Sequence, residues 1–205
     1  MVNFKIKKLD LFRRFGKLAN IKVKKTIRKY APGQHGENKS KLKNKKSNSD
    51  YSFQLNEKQK LKFNYNINES QLFNYLKKAA KKKGIIGSNL IELLEMRLDV
   101  ILVTSNLIPN LFTARQIISH GHILVNKIKV NLPSFICKTN DLIEIKDIAK
   151  SINLINQNLI LIPKTNFNFE NTFDNYKLKI KSNIKRNDIN LKINENLILE
   201  YYSRK

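Results

Sequence analysis

Two histidines and an arginine in the segment TARQIISHGHILVN, residues 113–126, are the side chains best suited to chemistry. His120 and His122 flank Gly121, and Arg115 lies on the predicted helix that leads into them. Such a group could hold a metal ion, supply a catalytic base, or bind an anion through charge and hydrogen bonds. The types and spacing of the other residues decide among these three kinds of site.

Metal binding and catalysis both need partners that the sequence does not place beside the two histidines. A metal site needs three or more convergent ligands, and no further His, Cys or carboxylate neighbours His120 and His122. Nucleophilic catalysis needs a base held against a nucleophile, and nucleotide binding needs a glycine-rich phosphate loop; neither pattern occurs. Cys137 has no cysteine to pair with and is predicted to be a structural thiol in a half-buried strand. We therefore predict no metal, no cofactor and no enzymatic activity.

The charge of the chain favours an anionic partner. A formal net charge of +24 at pH 7 over 205 residues makes the chain repel itself unless a polyanion neutralises it. Lysines and arginines are spread along the whole chain, which favours nucleic acid over an acidic membrane surface or an acidic protein. The sequence has neither a secretory signal pattern nor a long apolar run of membrane-spanning length, so we expect a soluble protein without membrane contact.

The first fifty residues differ from the remainder in composition. They are dense in lysine and contain the stretch YAPGQHGENKS, so they cannot bury enough apolar surface to fold alone. We predict a basic N-terminal extension, residues 1–50, that becomes ordered only against a partner. Within it, PGQHG either supplies backbone that approaches a phosphate closely or forms a flexible turn.

Two helices are predicted after this extension. The first begins near Asn56 with NEKQKLKFNY, and the second is NESQLFNYLKKAAKKKG. In the second, Asn68 and Gln71 have the spacing of a capping box, and Ile67 and Leu72 that of a hydrophobic staple. Lysines crowd the C-terminal end of this helix, where they predict either a solvated face or contacts to phosphate.

A helix pair and a small sheet are predicted next. SNLIELLEMRLDVILVTSNL has leucines at helical spacing, and a second, short helix begins near Asn110 and ends at Gly121. HILVNKIKV then alternates as a hairpin, while DLIEIK and NLILIP, residues 141–146 and 158–163, predict further antiparallel strands packed on the helix pair. After Pro163 the sequence is polar with a weak pattern, until INENLILEYYSRK predicts a final helix.

The polar faces of these elements predict one binding surface. The short helix presents arginine and serine side chains, its end delivers the two histidines, and the hairpin adds lysines. A surface of this kind binds phosphate and ribose by position, which suits folded RNA. The predicted RNA-binding residues are Arg13, Arg14, Gln34, His35, Lys77, Lys81, Arg97, Arg115, Gln116, Ser119, His120, His122, Lys127 and Lys129.

Lysine greatly outnumbers arginine along the chain. The few arginines are therefore candidates for positions that need the planar, bidentate guanidinium group. Arg97 has an alternative role, since Glu92, Glu95 and Asp99 lie on the same predicted helix. It is predicted either to contact RNA or to pair with one of these carboxylates and act through folding.

The segments EMRLD, TARQIISHGHILVN and LPSFICKTNDLIEI, in this order, resemble the S4 RNA-binding domain. That domain also occurs in pseudouridine synthases, tyrosyl-tRNA synthetases and heat-shock RNA-binding proteins. The flanking segments must therefore show which of these classes of protein the chain resembles. RRFG, PGQHG, LNEKQKLKFNYNINESQLFNYLKKA and INENLILEYYSRK resemble the family of small-subunit ribosomal protein S4. The resemblance implies a structural protein that is a primary binder of small-subunit ribosomal RNA. It also implies early contact with a multi-helix RNA junction, neighbouring ribosomal proteins, and a position near the messenger RNA entrance.

The resemblance also implies an α+β architecture, in which a helical domain holds an inserted S4 domain and follows a basic extended N-terminal segment. We predict a helical domain from residues 51–91 and 188–205 and an S4 domain from residues 92–163. Residues 164–187 resemble the family least and are predicted to be a poorly defined connecting region.

The chain departs from the family pattern at two further places. Some bacterial members carry zinc-binding cysteines near the N-terminus, and this segment has none, so zinc is not expected. The hairpin turn, often Asn-Gly in the family, is Asn126-Lys127 here. Lysine disfavours the positive φ that a tight type I′ turn requires.

Two other functions are compatible with an S4 domain. An RNA-modifying enzyme needs a separate catalytic domain, for which the flanking segments leave little room, and an RNA chaperone does not need the long flanking matches. Lysine, asparagine and isoleucine, all encoded by A/T-rich codons, dominate the composition, and the flanking segments resemble plastid members most. We therefore predict a plastid ribosome as the location, with a mitochondrial or bacterial cytoplasmic ribosome as the alternatives.

Overall fold

The fold combines helices with an antiparallel sheet, which confirms the predicted α+β class. A computed structural model describes residues 8–16, 18, 20, 49–105, 107–146, 169–172, 177–184, 186–189 and 191–203. The helices are α1 (Lys8–Phe15), α2 (Asp50–Asn64), α3 (Glu69–Lys81), α4 (Ile86–Glu95), α5 (Leu98–Thr104), α6 (Leu111–Ser119) and α7 (Glu195–Ser203). The strands are β1 (Ile123–Val125), β2 (Ile128–Lys129), β3 (Leu142–Ile145), β4 (Phe169–Thr172) and β5 (Lys177–Ile180).

The chain divides into two compact units, residues 1–72 with 191–205 and residues 73–190. Gln34, His35 and the strand predicted at 158–163 lie outside the described residues, as does most of the predicted basic extension. No described helix has both the length and the apolar character needed to cross a membrane.

Helix α1 shows that part of the predicted extension is folded against the protein itself. Leu11 and Leu18 are buried with Phe63 of α2, and Phe15 packs against this cluster. The Phe15 and Phe63 rings lie 5.6 Å apart. These apolar side chains give α1 a surface to bury within the chain, and the ordering of residues 1–50 by a partner stays a prediction.

Helices α2 and α7 pack together in the same unit around a polar cluster. Lys58 is buried, its Nζ lies 2.9 Å from Glu69 Oε1, and it sits 4.1 Å above the Tyr201 ring. The Tyr202 hydroxyl donates to the same Glu69 oxygen at 2.7 Å. Burial alone would lower the pKa of Lys58, but the interactions with Glu69 and Tyr201 outweigh it and raise that pKa. The C-terminal helix predicted from INENLILEYYSRK is thus held by specific contacts.

The two ends of α3 are capped by side-chain amides. The backbone N–H of Asn68 donates to Gln71 Oε1 at 3.0 Å, which is one half of the predicted capping box. At the other end, Asn89 Nδ2 donates to carbonyl oxygens of Ala79 and Lys82 at 3.4 and 3.3 Å. The first cap was predicted from local spacing, whereas the second comes from a residue of the following helix.

The long helix predicted from SNLIELLEMRLDVILVTSNL is two helices, α4 and α5, broken at Met96 and Arg97. The Met96 carbonyl accepts from the Cys137 N–H at 2.9 Å, and the Leu98 N–H donates to the Phe135 carbonyl at 2.8 Å. Hydrogen bonds to a distant segment thus replace helical ones, and the apolar spacing alone carries no sign of them.

The sheet has the strand order β2-β1-β3-β5-β4, and every pair is antiparallel. Strands β4 and β5 come from the segment 164–187, for which the sequence predicted no regular structure. Ile143 of β3 pairs with Leu178 of β5, and both side chains are buried. The sheet therefore continues beyond residue 163 with two strands that the weak pattern of that segment did not predict.

The predicted hairpin is present, with Asn126 and Lys127 at its turn. Both have positive φ, 52° and 68°, as a type I′ turn requires. Asn126 Oδ1 accepts from the Leu142 N–H, and its Nδ2 donates to Asp141 Oδ1, each at 2.9 Å. These bonds fix the turn against the start of β3, so Lys127 adopts a conformation that glycine would adopt more easily.

Replacement of Lys127 by glycine is expected to raise the free energy of unfolding by about 0.5–1 kcal/mol, because glycine has no Cβ to clash at positive φ. Denaturant unfolding of the full chain measures this change. Lys127→Ala is the matched control, since it removes the same charge but keeps the Cβ. Equal stabilities of the glycine and alanine variants would contradict this account of the turn.

Candidate nucleic-acid interface

The end of helix α6 turns sharply into the hairpin through Gly121. The Gly121 N–H donates to the Ile118 carbonyl at 2.8 Å, and the His122 N–H donates to the Ile117 carbonyl at 3.2 Å. This is the Schellman pattern, and Gly121 has the positive φ, 76°, that it requires. The predicted role of Gly121 at the helix end is confirmed. As a result, His120 and His122 project from one turn with ring centroids 5.9 Å apart.

Lysines of the hairpin come to the same turn. A Cβ added at Gly121 would overlap the side chain of Lys129, so this lysine passes directly over the glycine. Lys129 and Lys127 are both exposed, and Lys129 faces Leu124 across the hairpin. A cation beside the carboxyl end of a helix is also favoured by the helix dipole. The structure thus brings Lys129 to the end of α6, while Lys127 lies at the turn of the hairpin.

Three further predicted residues lie within the last two turns of α6. Gln116 is exposed, Ser119 is partly exposed, and Arg115 keeps 16% of its side chain exposed. Arg115 does not extend freely into solvent, because its Nε donates to Asp99 Oδ2 at 2.8 Å. We call the surface formed by Arg115, Gln116, Ser119, His120, His122, Lys127 and Lys129 the basic turn surface.

Arg97 does not lie on the basic turn surface. Its side chain is only 3% exposed and binds Asp99 through two hydrogen bonds, from Nε at 3.0 Å and from Nη2 at 2.8 Å. Its Nη1 donates to the hydroxyl of Tyr75 at 3.4 Å, and burial raises the pKa of that tyrosine. Of the two predicted roles of Arg97, the structure shows the local pair with a carboxylate. We call Tyr75, Arg97, Asp99 and Arg115 the Asp99 network.

The remaining predicted residues lie on other helices. Lys77 and Lys81 are exposed on α3, with Lys77 Nζ 4.5 Å from the centre of the Phe73 ring. Arg14 on α1 is exposed and donates to Asn56 Oδ1 at 3.3 Å. Arg13 belongs to the same helix, but its side chain lies outside the described residues.

Comparison with known proteins shows which families and proteins this chain is similar to. Residues 3–95 match the family model of the ribosomal protein S4/S9 N-terminal domain, and residues 96–143 match that of the S4 domain. The small ribosomal subunit protein uS4c of Trieres chinensis is 42% identical over 207 residues, which cover all of both chains. The uS4c of Chlorella vulgaris is 41% identical, again over all of both chains. The uS4 of Nostoc punctiforme is 39% identical over the whole chain and 99% of its own length.

The chain belongs to the uS4 family. The resemblance drawn from its sequence motifs is therefore confirmed. The S4 domain match contains α5, α6 and the hairpin and ends within β3, so it includes all the residues of the basic turn surface.

Two exposed apolar residues beside the basic turn surface were not predicted. Ile128 of β2 is 70% exposed and Leu132 is 66% exposed. The alternating pattern of the hairpin predicted one buried face, but β2 is the edge strand of the sheet in this uS4 chain. In the sequence, Ile128 lies between Lys127 and Lys129, which is a signal that could have marked it as exposed.

A cavity of about 340 Å³ lies elsewhere in the S4 domain region, lined in part by Lys82, Glu92, Cys137 and Asn183. Cys137 is 2% exposed, as expected for a structural thiol, but the half-buried strand predicted for it is wrong, because it follows the isolated bridge between Arg97 and Ile136 and belongs to no strand. Burial raises its pKa to about 12, so at neutral pH the sulfur is a protonated thiol and a poor nucleophile. Among the described residues, no group of three or more His, Cys, Asp or Glu side chains could hold a metal ion.

Proposed function

We propose that this uS4 protein is a structural constituent of the small ribosomal subunit that binds ribosomal RNA through the basic turn surface. The observation that carries the proposal is the position of Lys129 directly over the α6 end at Gly121, within the residues that match the S4 domain. Amide, hydroxyl, imidazole and ammonium groups lie there side by side. Such groups serve the phosphates, riboses and base edges of folded RNA.

Shape and charge both support RNA as the ligand. An A-form helix has a deep, narrow major groove, so proteins grip its backbone and its shallow minor groove. The hairpin turn is tight and exposed, with Lys127 in it, and is small enough to follow such a surface. The net charge of +24 supplies the long-range attraction.

We also propose a role in subunit assembly and contacts with neighbouring molecules. We assign the chain the part of a primary ribosomal RNA binder that acts early, next to other small-subunit proteins and near the messenger RNA entrance. The family relationship over the whole chain supports this assignment. A catalytic role in RNA modification has no support from the described residues.

The plastid is the proposed location of the ribosome. The uS4c relatives of Trieres chinensis and Chlorella vulgaris are of the chloroplast type, and both match over the full chain. Co-sedimentation of the protein with small ribosomal subunits from isolated plastids tests this proposal. Recovery with mitochondrial subunits instead would contradict it.

Loss of the hairpin lysines is expected to weaken binding to a transcript of plastid small-subunit ribosomal RNA. The double variant Lys127→Ala with Lys129→Ala should lose about tenfold or more in affinity at a fixed salt concentration, because two phosphate contacts disappear. A filter-binding titration measures the change. An unrelated transcript of equal length shows whether the loss concerns specific binding.

The matched control is Lys177→Ala with Lys179→Ala on β5, which removes the same charge from the same sheet. Strand β5 lies three positions from β2 in the strand order, or about 14 Å at the usual strand spacing. The control should therefore retain more affinity than the hairpin variant. Equal losses would mean that net charge alone governs binding and that the basic turn surface is not the site.

A further inference from the structure

We infer that the cavity beside helix α4 binds a guanine base of unpaired RNA through Lys82 and Glu92. The inference rests on the proposed RNA-binding function and adds to it a site that reads one base. The cavity, which we call the α4 cavity, has a volume of about 340 Å³. Sites for small ligands have volumes of about 300–1,000 Å³. Proteins that recognise single-stranded RNA bind its splayed-out bases individually, so one nucleotide is a suitable occupant.

The junction between α3 and α4 places Lys82 beside Glu92. Asn89 of α4 donates through Nδ2 to the carbonyl oxygen of Lys82 at 3.3 Å, which fixes the backbone there. Glu92 follows Asn89 by three residues, so both side chains lie on one face of α4. As a result, Lys82 Nζ lies 3.7 Å from Glu92 Oε1, and both residues line the α4 cavity.

Asn183 orients the carboxylate of Glu92. Its Nδ2 donates to Glu92 Oε1 at 2.9 Å. The following residue, Ile184, is buried, and its burial holds this segment against the domain. A carboxylate has about four acceptor positions, so Glu92 can accept from Asn183 and from a ligand at the same time.

The donors and acceptors of Lys82 and Glu92 match the Watson–Crick edge of guanine. That edge presents the acceptor O6, followed by two donors, N1–H and N2–H. Lys82 supplies an N–H donor, and the two oxygens of Glu92 supply neighbouring acceptors. Among the four RNA bases, only guanine has two neighbouring donors on this edge. A carboxylate at this position therefore discriminates against the other three bases.

The other walls of the α4 cavity suit the ring and the phosphate of a nucleotide. Leu93, Met96 and Ile136 supply apolar side chains that a planar base can contact. The Cys137 N–H donates to the Met96 carbonyl at 2.9 Å, which holds this wall against the end of α4. Lys138 also lines the cavity and is exposed, so it can bind the phosphate that accompanies the base.

The charges of the lining residues favour a nucleotide over a simple anion. Lys82 and Lys138 are cationic and Glu92 is anionic, so together they retain one positive charge. An anion beside Glu92 would be repelled, whereas a neutral base can approach this carboxylate. The base therefore belongs next to Glu92, and the phosphate belongs next to Lys138.

A comparison of two short RNAs tests the preference for guanine. The probes are single-stranded oligouridines with one central guanosine or one central adenosine, each titrated with the full chain at a fixed salt concentration. Both probes offer the same phosphates, so the ratio of their affinities reports on the base. The guanosine strand should bind about tenfold more tightly. Equal affinities would overturn the inference.

Glu92→Gln tests whether the carboxylate causes this preference. Glu92 is 28% exposed, so the variant is expected to fold. Its amide presents one acceptor and one donor, a pattern that suits adenine. The ratio of affinities should therefore fall to about twofold or less.

The matched control is Glu144→Gln, which neutralises a carboxylate that also pairs with a lysine. Glu144 Oε1 lies 3.0 Å from Lys177 Nζ in the sheet, and neither residue lines the α4 cavity. This variant should keep the tenfold ratio of the unchanged protein. The same reduction in both glutamine variants would show that Glu92 does not read the base.

Met96 reports occupation of the α4 cavity without any substitution. The chain has two methionines, Met1 and Met96, so methyl-labelled methionine gives a simple magnetic resonance spectrum. The guanosine strand should shift the Met96 methyl resonance, because the ring current of a bound base acts at short range. The adenosine strand should shift it much less. An unmoved Met96 resonance at saturation with the guanosine strand would refute binding in this cavity.

Guanosine monophosphate distinguishes RNA from a free nucleotide as the source of the base. It should shift the same Met96 resonance but bind at least tenfold more weakly than the guanosine strand, because it lacks the neighbouring phosphates. Equal affinities of the nucleotide and the strand would overturn RNA as the ligand. The variant Lys127→Ala with Lys129→Ala tests the proposed function separately, since it should weaken transcript binding but keep the ratio of the two strands.

Discussion

Replacement of Asp99 by alanine should destabilise the protein by about 3–5 kcal/mol, because it leaves the buried Arg97 guanidinium without a counter-charge. Arg97 is 3% exposed, so water cannot take the place of the carboxylate. The melting temperature should fall by about 10 °C or more. Denaturant and thermal unfolding of the full chain, followed by circular dichroism, measure both quantities.

Glu92→Ala is the control for the loss of a carboxylate nearby in the sequence. Glu92 is 28% exposed and lies 3.7 Å from Lys82 Nζ, so its loss should cost less than about 1 kcal/mol. Replacing Arg97, Asp99 and Arg115 together by Met, Leu and Met should recover most of the stability, since no unpaired charge then remains buried. Equal effects of Asp99→Ala and Glu92→Ala would show that Asp99 is not needed as the counter-charge of the buried Arg97.

Raising the salt concentration should abolish most of the RNA affinity. If about 6–10 phosphates are contacted, binding should weaken by about 10³–10⁵-fold between about 50 and 200 mM salt, because each contact releases condensed counterions. The net charge of +24 is spread over the chain, so contacts beyond the basic turn surface are expected to contribute. Titrations with a ribosomal RNA transcript at several potassium concentrations and constant magnesium measure the slope.

A comparison of two lysine variants shows where this salt dependence arises. Lys127→Ala should lower the slope by about one. Lys60 is a suitable control, since it is 19% exposed and lies 3.7 Å from Glu57, so its loss should leave the slope almost unchanged. An affinity that hardly responds to salt would rule out phosphate contacts as the main source of binding.

Features that depend on neighbouring residues were predicted well from the sequence. The capping bond of Gln71, the left-handed Gly121 and the position of the hairpin turn all follow from residue types a few positions apart, whereas the positive φ of Lys127 does not. Local spacing determines these hydrogen bonds and dihedral angles, so the sequence pattern is sufficient. The residues of the basic turn surface also lie within one short segment, and their binding of RNA stays a prediction.

Features that depend on distant residues were not predictable in this way. The break between α4 and α5 is made by the backbone of Phe135 and Cys137, and the outer strands of the sheet are ordered by pairing with β3. The link between Asp99 and Arg115 joins two helices. No periodicity within either helix shows which carboxylate will be buried beside which arginine, since tertiary packing decides it.

The shortness of β2 affects the protein before it meets RNA. A sheet edge exposes unpaired backbone groups that can recruit another copy of the chain, and Ile128 adds an apolar side chain to this edge. Strand β2 has only two residues, and Lys127 and Lys129 flank that isoleucine. A second copy would meet too few backbone partners and two like charges, so the edge resists self-association. The lysines proposed to bind RNA therefore also disfavour pairing at this edge, and neutral residues in their place are expected to reduce solubility together with affinity.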